Sequence, residues 1–232
     1  MMSETPQRTR SKPGERRKFS KDRPPDPYGV EMPWRLFLAL PLPPEVVERI
    51  DKITSRLATK DWPVRWTAAG SAHITLQFLG EVEASQAQML RMSLPVEVAK
   101  HNATSLTTGR LGVFPTERKP RVLWMGLDGE VEGLHRLQRD LGKLLVSLGF
   151  EIEERPFAPH VTLGRLREEI SNARGMEIWT TLRGFELGSP IEVPVNEVVL
   201  YRSVIERGGS RHEALVRCPL NTSAEFKVQS TE

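Results

Sequence analysis

Hydrophobic residues along the chain follow two spacings, one typical of β-strands and one typical of α-helices. "RLFLAL" at 35–40 is a continuous apolar run of strand length. Directly after it, Ile50, Ile53 and Leu57 recur at helical spacing, and a run of leucines at 132–150 lies on one helical face and ends at a glycine. The pattern predicts a domain built from both strands and helices.

A proline lies within one of the predicted helices. The segment at 83–100 has helical character, but proline lacks the backbone N–H and its ring crowds the preceding turn. We therefore expect this helix to be interrupted or to end near Pro95. The other predicted elements are two strands joined by the turn-rich "PTERKP", two late strands and one further helix: 105–115, 121–127, 196–205, 212–220 and Glu168–Leu182.

Two distant segments share both a short motif and the order of the elements around it. In each half of the chain a helix ends, an extended connection follows, and a strand carries a histidine, one residue and a threonine: "AHITLQFLG" at 72–80 and "PHVTLGRL" at 159–166. A further helix follows each strand. The repeat predicts an α+β domain of two lobes with pseudo-twofold symmetry, facing each other across a cleft.

Strand geometry brings the motif residues together in pairs. Residues i and i+2 of a strand share one face, so His73 and Thr75 point the same way while Ile74 points into the core. The same alternation pairs His160 with Thr162. Each strand therefore presents an imidazole beside a hydroxyl.

An arginine follows only the second copy of the motif. In an unbroken pleat Arg165 lies on the face opposite Thr162. A β-bulge at Gly164 would turn Arg165 toward the threonine. The sequence leaves both geometries open.

Two imidazoles with hydroxyls and a guanidinium fit one kind of reaction. Histidine both gives and takes protons near neutral pH, and hydroxyl and guanidinium groups donate hydrogen bonds to phosphate oxygens. The set describes metal-free cleavage of a phosphodiester. No carboxylate stands at ligand spacing beside either motif histidine, and no GxxxxGK[ST] phosphate loop is present, so the sequence predicts neither a metal nor a nucleotide cofactor.

Other candidate residues have a structural interpretation of equal or greater weight. Phe37 is a candidate for stacking on a nucleobase, with core packing as the alternative. Arg121 is a candidate for binding phosphate, with a solvated position at a strand end as the alternative. His101, His135 and His212 are expected to be structural or solvated.

Composition places the chain among globular proteins. Of 232 residues, 38% are hydrophobic, and no segment approaches the roughly 20 apolar residues that span a bilayer. The single cysteine excludes an intramolecular disulfide, which indicates a reducing, cytoplasmic setting. Because both halves of the predicted site lie in one chain, we expect a monomer.

The two ends of the chain differ from its centre. Residues 1–33 are rich in Pro, Ser, Arg and Lys, which predicts a disordered basic tail; RNA binding and no role at all are both open for it. Met32 is an alternative start. Residues 34–220 are expected to form the single bilobal domain, and 221–232 a flexible C-terminal tail.

The motifs and their surroundings resemble the 2H phosphoesterase superfamily, and within it the RNA 2′,3′-cyclic phosphodiesterases once called 2′-5′ RNA ligases. The resemblance rests on "HITL" and "HVTL" together with "RLFLALPLPPEV", "GVFP", "RPFAPHVTLGRL" and "VVLYRS". The ending "RHEALVRCPL" departs from a commoner aromatic-containing one. The resemblance implies antiparallel sheets lining a central cleft, with helices outside.

The resemblance also implies a reaction and the roles of the site residues in it. Such enzymes open a 2′,3′-cyclic phosphate at an RNA end to a 2′-phosphate, and some join tRNA halves through a 2′-5′ linkage. By this resemblance His73 is the proton donor and His160 the proton acceptor, while Thr75, Thr162 and Arg165 bind the phosphate. Two alternatives remain: a phosphodiesterase acting on 2′-5′-linked or small cyclic nucleotides, and a non-catalytic RNA-binding module.

Overall fold

Antiparallel strands dominate the molecule, and they follow the alternating apolar segments of the sequence. In the computed structural model, residues 33–152, 155–206 and 209–222 are described, and they belong to one compact unit, Met32–Glu232. The strands are β1 (Trp34–Leu40), β2 (Val64–Trp66), β3 (Ile74–Val82), β4 (Thr104–Pro115), β5 (Pro120–Gly129), β6 (His160–Leu166), β7 (Glu192–Val195), β8 (Glu197–Glu206) and β9 (Gly209–Pro219). The helices are α1 (Pro44–Ala58), α2 (Ala84–Val98), α3 (Val131–Ser147) and α4 (Asn172–Arg183).

The sheet consists of two halves that meet at the motif strands. Its order is β7-β4-β5-β6-β3-β1-β8-β9, with β2 paired to β6 outside this path. Strands β6 and β3 adjoin at the centre through the antiparallel pair Ile74 and Val161, so each half contributes one histidine strand to the junction. The predicted α+β class with pseudo-twofold halves is confirmed, although the halves form one continuous sheet rather than separate ones.

The helices bury their apolar faces against this sheet and against one another. In α3 the leucines at 134, 137, 141 and 145 are all at most 2% exposed. This helix packs against α2, β3 and β4, while α4 packs against β4. Burial of each such side chain contributes about 1.5–3 kcal/mol, which makes the leucine face the main anchor of α3.

Helix α2 continues through Pro95, so the expectation that it is interrupted or ends there is wrong. The helix continues to Val98, and the Ala99 N–H donates to the Pro95 carbonyl at 3.0 Å. Leu94 and Val98 are both fully buried on either side of the proline. Packing on both sides of Pro95 therefore holds the helix, although the proline removes one N–H from the ladder and its ring crowds the preceding turn.

Helix α4 begins later than expected. The predicted helix started near Glu168, whereas α4 starts at Asn172. Ser171 caps it, since its hydroxyl accepts a hydrogen bond from the Arg174 N–H at 3.2 Å. A serine cap satisfies one of the unpaired N–H groups at the helix start and so defines the boundary.

The folded part extends slightly beyond the predicted domain end. The Asn221 N–H donates to the His101 carbonyl at 2.9 Å, and its carbonyl accepts from the Ala103 N–H at 2.7 Å. Asn221 is therefore held in place, although it was expected to begin a flexible tail. The predicted N-terminal tail at 1–33, apart from its last residue, and positions 223–232 lie outside the described residues. Within the described ranges, none of the helices has the length and hydropathy to cross a membrane.

Candidate active site

Both motif histidines are oriented by the same backbone contact. His73 Nδ1 lies 2.9 Å from the Ser71 carbonyl oxygen, and His160 Nδ1 lies 2.7 Å from the Ala158 carbonyl oxygen. A carbonyl oxygen only accepts, so in each ring Nδ1 carries the hydrogen. This contact leaves Nε2 of each ring as the atom that exchanges protons with a substrate.

A cavity of about 500 Å³ opens on the motif face of the sheet. Five of the predicted site residues line it and are thus brought together by the structure: Phe37, His73, Thr75, Thr162 and Arg165. His160 does not line the cavity but lies beside it, because it stands two residues before Thr162 on β6 and its neighbour Val161 pairs with Ile74, the neighbour of His73. The faces behind the motif are apolar, as the sequence predicted: Ile74, Leu76, Val161 and Leu163 are at most 3% exposed.

A break in the pleat of β6 turns Arg165 toward the cavity. On β5, Leu123 pairs with Gly164 but Trp124 pairs with Thr162, which leaves Leu163 without a partner in that register. Arg165 therefore lies on the Thr162 side, as the bulge interpretation predicted. Gly164 is required by space, because a Cβ there would lie 2.6 Å from Val64 Cγ1.

A matching break in the pleat of β3 exchanges the faces on which Gln77 and Phe78 lie. On β1, Leu38 pairs with Gln77 and Ala39 pairs with Thr75, so one residue of β3 is again skipped. As a result Gln77 is buried at 5% exposure, while Phe78 is 50% exposed and lines the cavity. Simple alternation would have placed these two side chains on the opposite faces.

The two breaks are related by the pseudo-symmetry of the halves. Each puts the residue three positions after the motif threonine into the cavity, Phe78 in one half and Arg165 in the other. The cavity therefore combines an aromatic ring with a guanidinium. The first is suited to a base or sugar and the second to a phosphate.

Each histidine contacts an aromatic ring from another strand of its own half of the sheet. The Phe37 ring lies 4.8 Å from His73 and 5.3 Å from Tyr201, centroid to centroid, and Phe37 is 4% exposed. The Phe114 ring lies 5.1 Å from His160 at nearly a right angle. Phe37 lines the cavity, yet its small exposed area favours packing against His73 over stacking on a base.

Electrostatics in the cavity favour an anion. Arg35, Arg65 and Arg165 line it, and its lining residues, among those that the structure describes, include neither Asp nor Glu. Burial lowers the pKa of Arg165, and the neighbouring Arg65 lowers it further. An anionic ligand would relieve this repulsion between like charges.

Burial also sets the protonation of the two motif histidines. It lowers the pKa of His73 to about 4, and charges on His212, His160 and Arg165 act in the same direction. Burial, followed by the charge on Arg165, lowers the pKa of His160. Both rings are therefore neutral in the unliganded protein at neutral pH.

Arg121 is placed away from this site. It forms an ion pair with Glu169 and does not line the cavity. In the ranges that the structure describes, no group of three or more His, Cys, Asp or Glu side chains is arranged to hold a metal ion. Independence from a metal stays a prediction.

Comparison with known proteins identifies the family to which the chain belongs. The model of the 2′-5′ RNA ligase superfamily matches residues 42–204, which include both motifs. The chain belongs to this superfamily. An RNA 2′,3′-cyclic phosphodiesterase of Geobacillus stearothermophilus is 32% identical over 79% of this chain and 56% of its own length. One of Thermotoga maritima is 29% identical over 79% of this chain and 94% of its own length.

Superfamily members of known structure share the fold. The crystal structure of E. coli LigT complexed with 3′-AMP matches with a TM-score of 0.64 and 31% identity, covering 82% of this chain and 99% of that one.

Several residues that line the cavity were not predicted as site residues, among them Arg35, Arg65, Phe78 and His212. Arg35 and Arg65 precede the motifs on β1 and β2, and Arg65 has no local pattern that marks it. Strict alternation along β3 assigns Phe78 to the face opposite the cavity. His212 lies on β9, more than a hundred residues beyond His73. The spacing of Arg35 and Phe37 on one strand face was the available signal for the first of them.

Proposed function

We propose that this member of the superfamily is an RNA 2′,3′-cyclic phosphodiesterase, which opens a terminal cyclic phosphate to a 2′-phosphate. One observation carries the proposal: two imidazoles, each with Nε2 left for the substrate, adjoin a cavity lined by arginines and threonines and by no carboxylate among the described residues. The names of the Geobacillus and Thermotoga relatives support this substrate, and the 3′-AMP complex of LigT supports a site for a nucleotide phosphate.

The reaction divides between the two histidines. His160 Nε2 takes a proton from water as the water oxygen attacks phosphorus. The bond from phosphorus to the 3′-oxygen breaks, and His73 Nε2–H gives its proton to that oxygen. Thr75, Thr162 and Arg165 donate hydrogen bonds to the non-bridging oxygens, whose negative charge grows in the transition state. One proton enters His160 and one leaves His73, so exchange with solvent restores the starting state.

The substrate itself would prepare the proton donor. A His73 pKa of about 4 leaves the ring neutral in the unliganded protein at pH 7. The phosphodiester anion favours the charged form of a neighbouring imidazole and raises its pKa. Substrate binding is therefore coupled to uptake of the proton that is later donated.

The direct test uses a short RNA that ends in a 2′,3′-cyclic phosphate, incubated with the protein and EDTA. A 2′-phosphate product, identified by ³¹P NMR and by end-specific digestion, supports the proposal and its metal independence together. Turnover that EDTA abolishes and added metal restores would refute the metal-free mechanism. Tight binding without turnover would favour an RNA-binding module, and turnover only on 2′-5′-linked or small cyclic nucleotides would change the substrate.

The pH dependence of kcat/KM follows from the two lowered pKa values. The donor His73 must be protonated, so activity falls as pH rises above its pKa of about 4. The acceptor His160 must be neutral, so activity falls as pH drops below its pKa, which lies below 6.5. We expect kcat/KM to peak below pH 6.5, and kcat to peak at higher pH because the bound phosphate raises both values. A kcat/KM that rises between pH 6.5 and 8 contradicts this assignment.

Phe78 provides the exposed ring for the terminal nucleoside. Stacking of one base on an aromatic side chain is worth about 1–3 kcal/mol, so Phe78→Ala should raise KM by roughly 5- to 100-fold with a smaller change in kcat. Phe78→Tyr keeps the ring and should keep the KM of the wild type. Equal KM values for Phe78→Ala and the wild type on the cyclic-phosphate RNA would show that no base stacks there.

Three further expectations belong to this proposal. Joining of tRNA halves through a 2′-5′ linkage is the reverse reaction in type, with the two histidines exchanging roles. A monomer suffices, because one chain supplies both motifs. A cytoplasmic location agrees with the single cysteine, Cys218, which is buried.

A further inference from the structure

A third histidine contacts the proposed proton donor. The His212 ring lies 5.0 Å from the His73 ring and 4.9 Å from the Phe37 ring, with interplanar angles of 79° and 76°. The distance from His73 to Phe37 is 4.8 Å, so the three rings contact one another in a triangle. Edge-to-face contacts at such distances are favourable and directional.

The two histidines also meet at one turn, Ala69–Ser71, which precedes His73 and packs against β9. The Ser71 carbonyl accepts from His73 Nδ1, and Ser71 lines the cavity together with His212. His212 reaches this position from β9, where it pairs with Ser203 of β8. This turn therefore connects His73 with the edge strand β9 of the same half of the sheet.

The surroundings of His212 include no carboxylate on the cavity side. Arg35, Arg65, Arg165 and His73 are the charged or titratable groups that line the cavity with it, and Tyr201 lies 6.4 Å away, ring to ring. On β9 its neighbours Arg211 and Glu213 form an ion pair with each other at 2.7 Å. A proton on His212 therefore acts mainly on the adjacent imidazole.

We propose that His212 is a positioning residue of the proposed reaction: it braces the His73 ring and, when protonated, opposes a proton on that ring. The inference rests on the proposed function, in which His73 donates the proton. Two imidazoles in ring contact titrate as a coupled pair. In agreement, the charge on His212 lowers the pKa of His73 more than the charge on His160 or Arg165 does. Burial lowers the pKa of His212 itself.

Two substitutions separate the brace from the charge. His212→Phe keeps a ring in the triangle and removes the charge, whereas His212→Ala removes both. At a separation of about 5 Å, loss of the charge should raise the titration midpoint of His73 by on the order of one pH unit in both variants. The alkaline side of the kcat/KM profile should move by the same amount. His212→Ala should in addition lower kcat by roughly tenfold, because an unbraced donor is misplaced, and His212→Phe should retain kcat within about twofold.

NMR titration of the histidine side chains measures the His73 midpoint without any substrate. His135→Phe is the matched control, because His135 also contacts a phenylalanine edge-on, Phe157 at 5.4 Å, but lines a different cavity. It should leave the His73 midpoint and the pH profile unchanged. An unchanged His73 midpoint in His212→Phe overturns the inference whatever the activity. Absence of turnover by the wild-type protein refutes the proposed function instead, and leaves the NMR result as the test of the pairing.

Discussion

Alanine at His73 or at His160 should lower kcat on a cyclic-phosphate RNA by about 10²–10⁴-fold, while a short RNA ending in 2′-phosphate still binds within a few-fold of the wild-type affinity. Each substitution removes one proton-transfer group and leaves the arginines and threonines of the cavity in place. His135→Ala, at a histidine of α3 outside this cavity, is the matched control and should retain full activity. Full activity in either motif variant would contradict the two-histidine mechanism.

The donor and acceptor roles can be distinguished with a second substrate. A nitrophenyl phosphodiester has a weakly basic leaving group, and this group departs without taking up a proton. His73→Ala should therefore lose much less activity on this substrate than on the RNA, whereas His160→Ala should lose activity on both. The opposite pattern would exchange the two roles. Single-turnover rates give the comparison without interference from product release.

Arg165→Ala should lower kcat/KM by about 10²–10³-fold, because it removes a charged donor aimed at the phosphate. Arg165→Lys keeps the charge but not the planar fork and should recover only part of the loss. The charge on Arg165 also lowers the pKa of both His73 and His160. The pH profile of Arg165→Ala should therefore move to higher pH, which mere loss of packing would not produce.

Arg121→Ala is the matched control for this substitution. Arg121 lies on β5 next to Val122, which is the strand partner of Arg165. The Arg121 side chain, however, forms an ion pair with Glu169 and does not line the cavity. We expect its removal to leave both kcat/KM and the pH profile unchanged. A loss comparable to that of Arg165→Ala would mean that the substrate extends over this strand end.

Local periodicity predicted what depends on neighbouring residues alone. The leucine face of α3, the paired strands β4 and β5, and the burial of Ile74 and Val161 behind the motif all follow from spacings of a few residues. Helix ends were less predictable. Whether Pro95 ends a helix depends on what packs around it, and that packing involves residues far away in the chain.

By itself the sequence determined the α+β class, the repeat, and the pairing of each motif histidine with its threonine, because a period of two residues fixes which side chains share a strand face. Only the tertiary structure decided which residues follow them into the cavity. The register breaks in β3 and β6 turn Phe78 and Arg165 inward, and they arise from pairing with β1 and β5 rather than from local preference. His212 contacts His73 for the same reason, since β9 belongs to the same half of the sheet as β3 and β1. Contacts between residues so distant in the chain are set by strand pairing, which no local pattern encodes.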